Sequence, residues 1–150
     1  MAKVALLVSF EPRTRVAVDV PKGMSLDKWL ENEDNFESIK SFFNYCAVET
    51  NYPIMFHCIR GTDRTGALAY ALGALCGVSE DLLIRDYLFS NFANINDNIE
   101  KRDITGTSFY VYGIRNAEGS TMSEKAMNYL TSTVGVNKTT LESIVSILLK

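Results

Sequence analysis

The stretch Ile54-Met55-Phe56-His57-Cys58-Ile59-Arg60-Gly61-Thr62-Asp63-Arg64-Thr65-Gly66-Ala67 decides how this chain is read. Ile54-Met55-Phe56 is an apolar run too short for a helix, and it reads as a buried central strand leading straight into His57-Cys58. From Ala67 to Leu75 the residues are strong helix formers and apolar nearly all round, the pattern of a helix inside a core, and Cys76-Gly77 ends it. A strand ending at Cys58, a tight loop through Gly61 and a helix starting near Arg64 aim successive backbone N–H groups at one point. That point is an anion site. A thiolate at Cys58 is stabilised by those amides and by Arg64, which is expected to draw its pKa well below the free-thiol value of about 8.5. Cys58 is then a nucleophile at neutral pH.

Arg64 can fold back across the loop and grip two oxygens of an anion with its planar fork, which a lysine cannot do. Thr65 offers a hydroxyl to the sulfur, and Gly61 and Gly66 permit a tight turn and close packing of the helix. A nucleotide-binding Walker loop is excluded, because Gly61-x4-Gly66 is followed by Ala67 and not by lysine.

These residues resemble the His-Cys-x5-Arg-Ser/Thr-Gly phosphate-binding loop of the cysteine-dependent protein tyrosine phosphatases. More narrowly, they are similar to the branch written H-C-x-x-G-x-D-R-T-G, which includes bacterial tyrosine and phosphoinositide phosphatases. Asp86-Tyr87-Leu88-Phe89-Ser90-Asn91 is similar to the D-Y-x-x-S-N stretch that follows the loop in that branch. The resemblance implies an α/β fold, a small mostly parallel sheet flanked by helices with a helical carboxyl-terminal half. It implies a phosphoric monoester hydrolase working through a phosphocysteine intermediate without cofactor or metal. Cys58, Arg64, Asp63 and Thr65 would be catalytic, and Ile59, Arg60, Gly61, Thr62, Asp63 and Arg64 would form the phosphate loop. His57 and Gly66 would be structural. The substrate would be a phosphorylated protein or a phosphoinositide.

Leaving-group departure needs a general acid. A Trp-Pro-Asp loop, the usual source in tyrosine phosphatases, is absent, since the single tryptophan, Trp29, is followed by Leu30. The resembling branch carries the acid within the loop, where Asp63 stands. Asp19 and Asp27 are alternatives, and Asp63 has a competing role as helix cap. Two departures from the branch matter. Thr62 stands where a lysine is common, and Arg60 places positive charge at a different point. Only 57 residues precede Cys58, so a shortened domain is expected, in which an exposed sheet edge would admit a second copy. A shortened or degenerate phosphatase that binds phosphotyrosine or phosphoinositide without turnover is the second reading. A sulfur-transfer loop of the rhodanese kind explains neither His57 nor Arg64-Thr65-Gly66.

Working outward, 150 residues with 47% apolar and 22% charged side chains suit one globular domain spanning 1–150. Fifteen basic and 18 acidic residues, a net charge of −3, carry no basic run that would suggest nucleic acid. Three cysteines without a Cys-x-x-Cys pair point to free thiols in a reducing compartment, hence a cytoplasmic location. One histidine is too few for an ordinary zinc site. No stretch approaches the length of a membrane span. Cys46 and Cys76 lie on apolar helical faces and read as core, as do Trp29 and Phe109–Tyr112, while Asp86 reads as a structural partner.

Val4–Ser9 and Thr14–Val20 read as two strands joined at Glu11-Pro12-Arg13. Helices are expected over about 34–50, 67–75 and 79–92. Phe109–Tyr112 fits a short strand or a buried loop. Thr121-x-x-Glu124 and Thr139-x-x-Glu142 match capping boxes, which predicts closing helices over about 122–134 and 139–149.

Overall fold

The computed structural model describes the backbone of residues 3–8 and 14–19, and describes residues 29–58, 61, 63–89 and 111–150 with their side chains. Ile59, Arg60, Thr62, Asp27, Ser90, Asn91, Phe109 and Tyr110 lie outside the described residues.

Strands β1 (Lys3–Val8) and β2 (Thr14–Asp19) pair antiparallel, from Lys3 opposite Asp19 to Val8 opposite Thr14. The expected breaker at Glu11-Pro12-Arg13 falls between them. Helix α1 (Phe36–Cys46) then brings the chain to β3 (Ile54–His57), which pairs antiparallel with β1 from Ala5 opposite His57 to Val8 opposite Ile54. The sheet order is β2-β1-β3. Among the described residues both pairings are thus antiparallel, where a mostly parallel sheet was expected. The reason lies in the connections: a short link returns β2 alongside β1, and the excursion through α1 delivers β3 running against β1.

Strand β3 also differs from the expected buried centre. It alternates, with Ile54 and Phe56 half-buried while Met55 is 61% exposed and His57 exposed. One face therefore packs and one does not. The packed face meets α1, where Ile39, Phe42, Phe43 and Cys46 form a buried stripe at helical spacing. The Phe42 and Phe56 rings meet edge to face with centroids 5.2 Å apart.

Helix α2 (Arg64–Leu75) buries Ala67, Leu68, Tyr70, Ala71, Ala74 and Leu75 on several sides, as expected of a core helix. Gly77, at φ +80°, closes it with its N–H donating to Ala74 and the Val78 N–H donating to Gly73. Helix α3 (Glu80–Phe89) turns back against α2, and the short α4 (Tyr112–Arg115) occupies the place where a strand or loop was expected to end. Helix α5 (Met122–Tyr129) packs on α2, and the Ser123 hydroxyl donates to the Leu75 carbonyl.

The first capping box is present in full: Thr121 Oγ1 accepts from the Glu124 amide, and the Glu124 carboxylate accepts from Thr121. Beyond Tyr129 the chain continues as a π-helical turn, Leu130–Val134, and stops at Gly135. The second box is not formed. Helix α6 (Lys138–Leu148) starts one residue before Thr139, with Asn137 in the cap position, so Thr139 lies inside the helix, its carbonyl accepting from Ser143 Oγ.

The described buried side chains make one contiguous cluster running from Trp29 through Cys58 and α2 to Ile144. Trp29 is buried, as its core reading expects, and the Asn35 amide donates to its carbonyl at 2.8 Å. The Tyr129 hydroxyl donates to Leu30 O at 3.0 Å, tying α5 to the segment before α1. No helix among the described residues is long and apolar enough to cross a membrane.

Candidate active site

Cys58 directly follows β3 and is 5% exposed. Gly61 then takes φ +77°, a left-handed conformation in which a Cβ is strained by the local backbone. That turn points the Gly61 N–H back at the sulfur, donating to Cys58 Sγ at 3.2 Å. An amide aimed at sulfur favours the thiolate over the thiol. The expectation that the loop amides serve Cys58 thus has a geometric counterpart at Gly61.

Asp63 and Arg64 form the junction with α2 and are 8% and 4% exposed. Asp63 occupies the cap position of α2, and its carbonyl accepts from the Ala67 amide at 2.8 Å. Its carboxylate makes no capping hydrogen bond to the helix. The competing capping role therefore finds no support in the geometry.

Arg64 is the first residue of α2, and its Nε and Nη1 have no hydrogen-bond partner among the described residues. The buried hydroxyl of the adjacent Thr65 is likewise unpartnered among them. Buried guanidinium donors are costly to leave unmet. Beside the amino end of a three-turn helix, they suit an oxyanion that accepts from a planar fork.

His57 is exposed, and its Nδ1 lies 3.0 Å from the Cys58 carbonyl. With a proton on Nδ1 the ring donates to that carbonyl and steadies the strand-to-loop junction. Gly66 lies in the first turn of α2, where an added Cβ would stand 3.9 Å from Cδ2 of Tyr87 in α3, an ordinary contact distance. Asp86, expected as a structural partner, is exposed on α3, and none of the ion pairs among the described residues involves it. Asp19 ends β2, and its side chain is outside the described structure, as is Asp27.

The other two cysteines are chemically distinct. Burial pushes the Cys46 thiol up to about 12 and raises that of Cys76. Both stay protonated near neutrality, in keeping with a packing role. Among the described residues no three His, Cys, Asp or Glu side chains gather as a metal site would require.

A family model described as the tyrosine phosphatase family matches residues 22–150. No curated protein and no solved structure matches the chain.

Proposed function

Because the chain belongs to the tyrosine phosphatase family, we propose that it hydrolyses phosphoric monoesters by way of a phosphocysteine on Cys58. The observation that carries this reading is the Gly61 amide on Cys58 Sγ at 3.2 Å, close in sequence to a buried Arg64 whose Nε and Nη1 are unpartnered among the described residues. One group favours a thiolate, and the other asks for an oxyanion.

In the first step the Cys58 thiolate attacks phosphorus in line with the ester oxygen, forming an S–P bond as the P–O bond breaks. Asp63, in its acid form, gives a proton to the departing alkoxide or phenoxide. Arg64 holds two of the equatorial oxygens and neutralises charge through the transition state. In the second step water attacks phosphorus, Asp63 takes its proton, and the S–P bond breaks to return the thiolate and inorganic phosphate. Thr65 donates its hydroxyl to the leaving sulfur, which eases that departure.

The burial of Cys58, Asp63 and Arg64 favours a phosphate carried at the end of an aryl ring over one close to a peptide backbone. We therefore take phosphotyrosine in protein as the preferred substrate class, with phosphoinositide as the comparison arm. The test is release of phosphate from an aryl phosphate, a phosphotyrosine peptide and a phosphoinositide by wild type and Cys58→Ser. Wild type is expected to turn over the aryl substrates, and Cys58→Ser to bind phosphate but release none. Wild-type rates in Cys58→Ser would sink the phosphocysteine mechanism. Phosphate binding without release by the wild type would establish the binding-module reading in its place.

A further inference from the structure

Residues 29–31 precede α1, and each of the three takes a hydrogen bond from a different place. The Asn35 side-chain amide donates to Trp29 O at 2.8 Å, the Tyr129 hydroxyl to Leu30 O at 3.0 Å, and the Gly113 N–H to Glu31 Oε1 at 2.7 Å. The last two reach across 99 and 82 residues of sequence, to α5 and to α4. Trp29 and Leu30 are buried and Glu31 is half-buried, so water competes weakly for these bonds.

Helix α4 is the element that depends on such help. It has four residues, too few to be stable alone, because nucleating a helix costs more than a single turn returns. The first amides of a helix have no partner inside it, and Val111 in the cap position makes no side-chain bond to them. Glu31 supplies the acceptor for Gly113 from far along the chain. The other end is also held from outside: Arg115 Nε donates to Glu80 Oε1 of α3 at 2.6 Å, and the Arg115 carbonyl accepts from Lys125 Nζ of α5 at 3.0 Å.

Between these ends the Tyr129 ring lies where a side chain of residue 113 would go. A Cβ there would stand 2.5 Å from Cε2 and Cζ of the ring, closer than it can come without moving the ring. One tyrosine thus covers α4 with its ring and holds Leu30 with its hydroxyl. Burial, and then the neighbouring charge of Glu31, raise the Tyr129 phenol above its ordinary value and keep it a donor.

We infer that Glu31 and Tyr129 are the two catches of a clasp: they hold α4 against residues 29–31, and α4 opens as one unit with that segment while α2 stays folded. A segment whose contacts are mostly to other elements can open below the free energy of global unfolding. The inference rests on these contacts alone and is independent of the chemistry at Cys58.

Native-state hydrogen exchange reads the opening, in wild type, Glu31→Ala, Glu31→Gln and Tyr129→Phe. The reporters are the amides of Gly113, Arg115 and Asn116, the last two bonded to Val111 O and Tyr112 O, with Ala71 and Ala74 of α2 as reference. In wild type the α4 reporters are expected to exchange faster than the reference. Glu31→Ala, which removes a charged acceptor, is expected to speed all three about tenfold or more and leave Ala71 and Ala74 unchanged. Tyr129→Phe keeps the ring on Gly113 and loses only the hydroxyl, so a rise of about fivefold at the same three amides is expected. Glu31→Gln keeps a neutral acceptor, falls between wild type and Glu31→Ala, and carries the test if Glu31→Ala does not fold. Trp29, the single tryptophan, gives a second reading. Its emission in the Glu31 variants should move to the red at urea concentrations where far-ultraviolet circular dichroism is still that of the folded chain.

A rise confined to Gly113 would mean that one bond was lost and no unit exists. An equal rise in α2 would mean global destabilisation. Either result overturns the inference, as do unchanged α4 amides in both Glu31 variants. None of these outcomes touches the phosphatase reading, which phosphate release tests separately.

Discussion

The backbone N–H of Gly61 donates to the sulfur of Cys58 across 3.2 Å, and it does so because Gly61 sits at φ +77°. A Cβ at that position would meet no atom of the described residues within 4 Å, so replacement by alanine there acts through backbone conformation. Gly61→Ala is expected to cost about 1–2 kcal/mol of stability, the strain of an L-residue in the left-handed region. Relief of that strain withdraws the amide from the sulfur. Chemical denaturation measures the first effect, and the pH midpoint of Cys58 alkylation, expected to rise, measures the second. A destabilised variant with an unmoved midpoint would show that this amide does not tune the thiol.

Arg64 separates stability from function. Its buried guanidinium lacks partners at Nε and Nη1 among the described residues, so removing the charge should relieve more than it costs. Arg64→Met is expected to raise Tm in phosphate-free buffer while lowering kcat/KM by at least about a hundredfold. Phosphate at about 100 times its Kd should stabilise wild type by about 2.7 kcal/mol and the variant hardly at all. If phosphate stabilised both equally, Arg64 would not be its ligand.

For Asp63, the side chain is buried at the helix entrance without capping the helix. Asp63→Asn keeps shape and removes the transferable proton. Turnover of an ester with a poor leaving group should drop at least about a hundredfold, and that of a very acidic phenol only a few-fold. Equal losses on the two substrates would remove Asp63 from the role of acid.

The three thiols should be distinguishable by reagent alone. At pH 7 iodoacetamide is expected to modify Cys58 first and leave Cys46 untouched, since burial pushes the Cys46 thiol up to about 12. Mass mapping of the alkylated peptide reads the outcome, and early labelling of Cys46 would contradict it.

The same groups set an alkaline limit on stability. Burial raises Cys46 from 9.0 to about 12, and burial first, then neighbouring charges, raises Tyr52 and Tyr70 from 10.0 to about 12. Each folded value lies above the unfolded one, so between them the folded chain holds protons that the unfolded chain has lost. Their contribution is complete below about pH 9 and declines as pH rises toward 12. Urea midpoints measured across that interval should fall, and Cys46→Ala should flatten the lower part of the decline. A flat urea midpoint through the interval would contradict this account.

Much of the local architecture could be read directly. The Thr121 box forms because its two hydrogen bonds join residues within one turn. The stop at Gly77 follows from one backbone angle, and the burial of Ile39, Phe43 and Cys46 from helical period alone, while the burial of Phe42 beside them was not evident. Thr139-x-x-Glu142 carried the same local signal and was misleading, because Asn137 took the cap position and placed Thr139 inside the helix. The extent of β3 was evident, but its half-exposed face was not, since burial depends on what lies against Met55 rather than on Met55 itself.

From sequence alone came the order of chemistry-bearing residues on the strand-loop-helix: a cysteine, a glycine able to turn its amide, and an arginine at a helix start. That much is local, and backbone stereochemistry within a few residues suffices to specify it. The antiparallel pairing of β1 with both neighbours and the missing cap from Asp63 were decided only in three dimensions. Each is set by surfaces distant along the chain, whose contact energies no short window of residues contains.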